Sequence, residues 1–150
     1  MDIGGPGCSD PEVFAAIVAQ SPDAIILADR GGLVRVWNAS AARLFGHAAQ
    51  EVLGQAMDLI IPEPLRAAHW KGFRSAVDSG RTRYAGRTMT TRSVHKDGRR
   101  LYVDLAFGLL EGEPGVVLGV IASARDCTER YLADKQAQAR LRDLETRLAQ

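Results

Sequence analysis

Between residues 24 and 37 the apolar positions fall in two short runs, AIILA and LVRVW, separated by the turn-forming residues Asp29, Arg30, Gly31 and Gly32. This pattern predicts two strands, 24–28 and 33–37, joined as a hairpin. Upstream, Val13, Phe14, Ile17 and Val18 recur at helical spacing behind Ser9 or Asp10 as cap and Pro11 as first-turn residue, which predicts a helix ending near Gln20. Downstream, Asn38 caps a short helix that Gly46 closes, and AAQEVLG forms another that Gly54 closes. A longer helix runs from about Pro62 to Asp78 and stops at Gly80. Three longer segments, roughly 84–95, 99–110 and 116–125, read as strands, with Lys96-Asp97-Gly98-Arg99 and EGEPG (111–115) as the turns between them.

The order helix, two strands, several short helices, three strands describes an α+β domain. The expected sheet has five antiparallel strands with helices on one face. After Asp126 the chain turns highly charged, and Ala137, Leu141, Leu144 and Leu148 follow at four-three-four spacing. That seam is coiled-coil-like and predicts a dimerising helix; the other reading is an amphipathic helix packed on its own domain. The expected organisation is a disordered tail over 1–9, a domain over 10–128 and a C-terminal signalling helix over 129–150.

Composition narrows the function classes. Of 150 residues, 46% are hydrophobic and 25% charged, and 19 basic against 18 acidic residues give a net charge of +1. This argues against binding nucleic acid or an acidic membrane through bulk charge and leaves only a local patch open. No apolar run reaches the roughly 18 to 20 residues that span a bilayer, and MDIGGPGCSD lacks the features of a signal peptide, so a cytoplasmic protein is expected. Cys8 and Cys127 have neither CxxC nor zinc spacing and read as free thiols in a reducing compartment. There is no GxSxG, P-loop, GxGxxG or HExxH motif, so a non-enzymatic module is expected.

The stretch PEPLRAAHWKGF places His69 on one helical face with Leu65, Gly72, Phe73 and Ala76. Such a histidine is either a packed core residue or a ligand, and the periodicity leaves both open. His47, just beyond Gly46, and His95, just before the hairpin turn, read as solvated turn residues.

The segments AIILADRGG, VRVWN, ARLFG, QEVLG and HKDGRR together resemble a PAS domain over about residues 10 to 130. PAS folds host flavin, haem, small metabolites or nothing. The light-sensing flavin subfamily carries a reactive cysteine in an N-C-R-F-L-Q-like motif, and the corresponding stretch here, GQAMDLIIPE, has none. Residues 62–69, P-E-P-L-R-A-A-H, resemble instead the P-E-P-x-R-x-x-H segment of haem-binding PAS sensors of the FixL and DOS kind. The spacing from His69 through Met89 to Asp97-Gly98 matches theirs as well.

That resemblance implies haem b with His69 as proximal iron ligand, and a response to a diatomic gas (O2 or CO) or to redox state. It sets Met89 where the oxygen sensors have an arginine, and Arg87 where the DOS-like sensor has an axial methionine. Two distal mechanisms follow: thioether ligation by Met89, or a hydrogen bond from Arg87 to bound oxygen with Met89 as packing. The resemblance further implies Tyr84, Leu105 and Phe107 as apolar pocket lining, Leu65 and Phe73 beside His69, and Arg83 at a haem propionate, while Arg74 reads as a solvated helix residue. Asp126 and Thr128 resemble the family's D-x-T junction, through which a signal would pass to an output domain and a homodimer would form by helix and sheet. The alternative is a haem-free PAS module for dimerisation or metabolite binding, with His69 in the core.

Overall fold

A computed structural model describes residues 7–150, so the tail expected over 1–9 lies largely outside the described residues. Helix α1 (Pro11–Gln20) leads into β1 (Ala24–Asp29) and β2 (Val34–Trp37), followed by α2 (Ala39–Phe45) and α3 (Ala49–Val52). A 3-10 turn (Met57–Ile60) precedes α4 (Glu63–Ser79); then come β3 (Thr88–Val94), β4 (Arg100–Glu111), β5 (Val117–Asp126) and α5 (Thr128–Leu148). The five strands form one antiparallel sheet in the order β2-β1-β5-β4-β3. This is the expected α+β architecture.

Strand alternation explains where the core sits. Ala24 and Ile26 of β1, Ala122 and Ala124 of β5, and Leu101 and Val103 of β4 point to one face and pack against Ala41, Phe45, Val52 and Ile60. Small residues on β1 and β5 let the helices approach closely there. The opposite face carries Tyr102, whose ring stacks on Tyr131 of α5 at a centroid distance of 3.8 Å. The first turn of α5 thus anchors on the far side of the sheet, with Thr128 Oγ1 accepting from the Tyr102 amide at 2.9 Å. From Leu132 onward every residue of α5 is exposed, so the helix leaves its own domain instead of packing on it.

Two expectations need correction. The first of the three late strands begins at Thr88, not residue 84, because residues 83–86 form a turn. The Arg87 amide bonds to the Tyr84 carbonyl at 3.0 Å and Gly86 adopts φ +70°, a conformation that ends extended alternation. Arg83, Tyr84 and Arg87 therefore sit on a turn.

The second correction concerns His47 and His95, whose side chains are only 14% and 15% exposed. They stand where the β3–β4 hairpin docks on the end of α2. The Lys96 amide bonds to the Phe45 carbonyl at 2.9 Å, and Lys96 Nζ reaches Glu51 at 2.8 Å. The His95 ring covers Gly46, which has φ +80° and whose missing Cβ would lie 2.4 Å from His95 Cε1. Gly46→Ala should therefore lower stability by about 2 to 4 kcal/mol, from left-handed strain plus overpacking. Urea unfolding measures it, and a loss below about 1 kcal/mol would show that the hairpin is not seated on α2 in this way.

Candidate cofactor site beside His69

Helix α4 spans 17 residues between Pro62, its N-cap, and Gly80, a left-handed C-cap. Three attachments fix its orientation. Arg66 donates to the Ile61 carbonyl at 3.0 Å and to the Asp58 carbonyl at 3.1 Å. Trp70 Nε1 donates to Asp58 Oδ1 at 2.7 Å, and the indole lies flat against Gly32, whose missing Cβ would be 2.3 Å from the ring. Phe73 and Val77 are buried against Ala28 of β1 and Val117 of β5.

The buried residues of α4 are Phe73 and Val77, flanked by Leu65, Arg66, His69, Trp70 and Ala76, all half-buried. Ala68 and Gly72 face outward, contrary to the expectation that Gly72 shares the inner face, and open space surrounds Gly72. The imidazole meets Trp70 edge-on at 4.7 Å and Phe73 at 6.2 Å between ring centroids.

Two properties single this imidazole out. Its Nδ1 is buried without a hydrogen-bond partner, a condition shared among the described side chains only by His47 Nε2. Desolvation holds its pKa below the usual 6.5, with the Asp58 carboxylate pulling weakly the other way. At neutral pH the ring is uncharged and able to act as a nitrogen ligand.

Facing α4 is the inner row of β4. Leu109 shares a cluster with Phe73 and Trp70, and Leu105 and Phe107 continue that row toward the main core. Met89 of β3 lies directly across from Leu105 and so points to the same face. The Tyr84 ring comes from the preceding turn to within 6.3 Å of Phe107. Although β4 is an interior strand, Leu105, Phe107 and Leu109 remain only half-buried, because α4 leans on β5 more closely than on β3 or β4. Arg87 and Arg74 are exposed, and Arg83 is exposed with its guanidinium 5.5 Å from the Tyr84 ring centre.

The structure thus groups His69 with Leu65 and Phe73, Met89 with Leu105, and Tyr84 with Phe107, and leaves Arg87 outside. Sequence reasoning missed Trp70 and Asp58, which hold the helix that aims His69. Two grooves lie elsewhere. One of about 460 Å³ runs past Asp23, Arg43 and Arg125; another of about 330 Å³ runs past Pro62, Arg66, Arg92 and Arg100. His69 lines neither.

An unpaired neutral imidazole and a half-covered apolar row on β4 are the features that a flat, apolar, metal-centred cofactor would use. No group of three metal-binding side chains occurs among the described residues.

A family model described as the PAS fold matches residues 12–127. The chain belongs to the PAS family. This PAS domain is 32% identical over 147 residues to the sensor protein FixL of Bradyrhizobium diazoefficiens, a match covering 89% of this chain and 25% of FixL. It is 25% identical over 126 residues to the oxygen sensor protein DosP of Escherichia coli, covering 84% of this chain and 16% of DosP. The chain thus spans a quarter or less of the length of these relatives. Among solved structures, a PAS domain from Colwellia psychrerythraea superposes with TM-score 0.69 at 23% identity, covering 79% of this chain and 97% of that one. An RNA-binding light-oxygen-voltage receptor superposes with TM-score 0.73 at 24% identity, covering 93% of this chain and 40% of that one. At these identities the structural likeness establishes the fold alone.

The depressed pKa of His69 has a signed consequence. An unfolded chain binds this proton more readily than the folded one, so the contribution of His69 to stability is full above pH 6.5 and declines as pH falls below it. His69→Phe should therefore lose less stability than the native chain between pH 7 and pH 5 in urea titrations. An identical decline in both would show that the ring is not desolvated.

Proposed function

We propose that this PAS domain is a haem b-binding sensor module responding to a diatomic gas, O2 or CO, or to redox state. The observation that carries the reading is the buried, unpartnered and neutral imidazole of His69, set in a PEPLRAAH segment that resembles the proximal motif of haem-binding PAS sensors. When bound, haem supplies an iron centre with a coordination position open to a small ligand. His69 serves as the proximal ligand, its direction set by α4 through Trp70 and Asp58. Leu65 and Phe73 flank it, and Leu105, Phe107 and Tyr84 exclude water from the other side. Arg83 is suited to a propionate, since it is exposed at the rim beside Tyr84.

On the distal side the geometry favours Met89. It is half-buried on the inner face, whereas Arg87 is exposed ahead of the strand and would have to swing inward to act as a hydrogen-bond donor. A thioether there is a soft ligand that prefers reduced iron, which suits exchange against CO or on oxidation.

The output route is α5. A helix held to its own domain only through its first turn gains little from propensity alone, and its exposed Leu141, Leu144 and Leu148 seam supports a homodimer formed with a second copy. A downstream output domain and a cytoplasmic location complete the proposal, and no helix among the described residues is long and apolar enough to cross a membrane.

Expression with a haem precursor tests the cofactor. A stoichiometric Soret band should appear, His69→Ala should abolish it, and Met89→Ala should convert a six-coordinate ferrous spectrum to a five-coordinate one. A folded protein that takes up no haem would return His69 to the core and leave a dimerisation or metabolite module.

Replacing Leu141 and Leu144 together by Glu should give monomers in sedimentation, since charges in a two-heptad seam are not compensated elsewhere. An unchanged assembly state would remove α5 as the dimer contact.

A further inference from the structure

The outer face of the sheet carries a polar bridge that the cofactor site does not use. Thr90 of β3 stands directly across from Asp104 of β4, and its Oγ1 donates to Asp104 Oδ1 at 2.6 Å. Arg130, in the first turn of α5, donates from a guanidinium nitrogen to the other carboxylate oxygen, Oδ2, at 2.7 Å. One carboxylate therefore holds a strand with one oxygen and a helix with the other. The Asp104 side chain is 18% exposed, while both of its partners, Thr90 and Arg130, lie at the surface.

The position of this bridge gives it meaning. Thr90 follows Met89 in the same strand, and the two point to opposite faces. A displacement of Met89 toward or away from α4 carries Thr90 with it. The remaining holds on the first turn of α5 are the Thr128 bonds to Tyr102 and Asp126, the Tyr131 stack on Tyr102, and the Cys127 amide on the Tyr102 carbonyl at 2.9 Å, which belong to β4 and β5. Of these attachments, the Asp104 bridge alone reaches β3.

We propose that Asp104 is a positioning residue that joins β3, the strand carrying Met89, to the first turn of the output helix α5. The inference rests on reading β3 as the strand that answers the ligand and α5 as the output. Asp104→Ala removes both bonds at once, whereas an amide at this position could keep both, its oxygen accepting from Arg130 and its NH2 donating to the Thr90 hydroxyl.

Amide hydrogen exchange of residues 127–131, measured on the haem-free chain, reads the joint without reference to the cofactor. Thr90→Val should raise exchange there about three- to tenfold, the size expected for losing one hydrogen bond of ordinary net strength. Thr90→Ser should restore the native rate, and Asp104→Ala, which removes both bonds, should raise exchange at least as much as Thr90→Val. In an Arg130→Ala background, Thr90→Val should add nothing. Native exchange in Thr90→Val, or an effect that persists without Arg130, would overturn the proposal. In haem-loaded protein, CO should alter exchange of the same amides in the native chain and not in Thr90→Val. A chain that takes up no haem forfeits the cofactor reading, and the haem-free comparisons still decide whether Asp104 is the joint.

Discussion

The side-chain amide of Asn38 is the fixed point from which the rest of the fold is arranged. Its Oδ1 accepts from the Ile25 and Ala41 amides, both at 3.0 Å, and its Nδ2 donates to the Val18 carbonyl at 2.9 Å and the Asp23 carbonyl at 3.0 Å. Every hydrogen-bonding capacity of the amide is used, while the residue is 6% exposed. It thereby ties the end of α1, the start of β1 and the first turn of α2 to one point. The register of β1 sets that of β5, and β5 sets β4, so the alternation that turns Leu101, Leu105 and Phe107 inward follows from this joint.

From there the sheet divides into two unequal halves. On β1 and β5 the inward residues are small, Ala28, Ala122 and Ala124, and helices settle close enough to bury them. On β4 and β3 the inward residues are larger, and α4 does not cover them because it is held elsewhere, by Trp70 on Gly32 and Asp58 and by Phe73 and Val77 on the β1–β5 side. The tilt of one helix thus leaves an apolar wall of Leu105, Phe107 and Leu109 partly open. Close-packed interiors rarely leave such a row uncovered without a reason.

How much of this was legible in the sequence depended on whether the signal was local. Asn38 as a cap, Gly46 as a left-handed stop and the KDG hairpin are each determined by a few neighbouring residues, and their elements fall within a residue or two of expectation. The start of β3 was hidden because RTRYAGRT continues a plausible alternation, and only the turn at Gly86 ends it. The inner stripe of α4 was only partly legible, for a different reason. Helical periodicity scores Arg66 as outward, yet its guanidinium is consumed by the Asp58 and Ile61 carbonyls, a contact no spacing rule contains. His47 and His95 were read as solvated because the surrounding sequence is polar, whereas docking of the hairpin on α2 covers both. His69 was singled out by the residues around it, PEPLRAAH, more than by its periodicity, and the structure adds that its Nδ1 is buried without a partner.

Asn38 and His69 are instructive as opposites. The first is a buried polar group with every bond made. The second has its Nδ1 buried with no partner, a deficit worth roughly 1 to 3 kcal/mol for an ordinary polar group. On β4 the apolar side chains Leu105, Phe107 and Leu109 are only half-covered. Either deficit alone could be an accident of packing. On the proposed reading one occupant would answer both: a flat, apolar group with an electrophilic centre, covering Leu105 and Phe107 and taking up the nitrogen lone pair of His69.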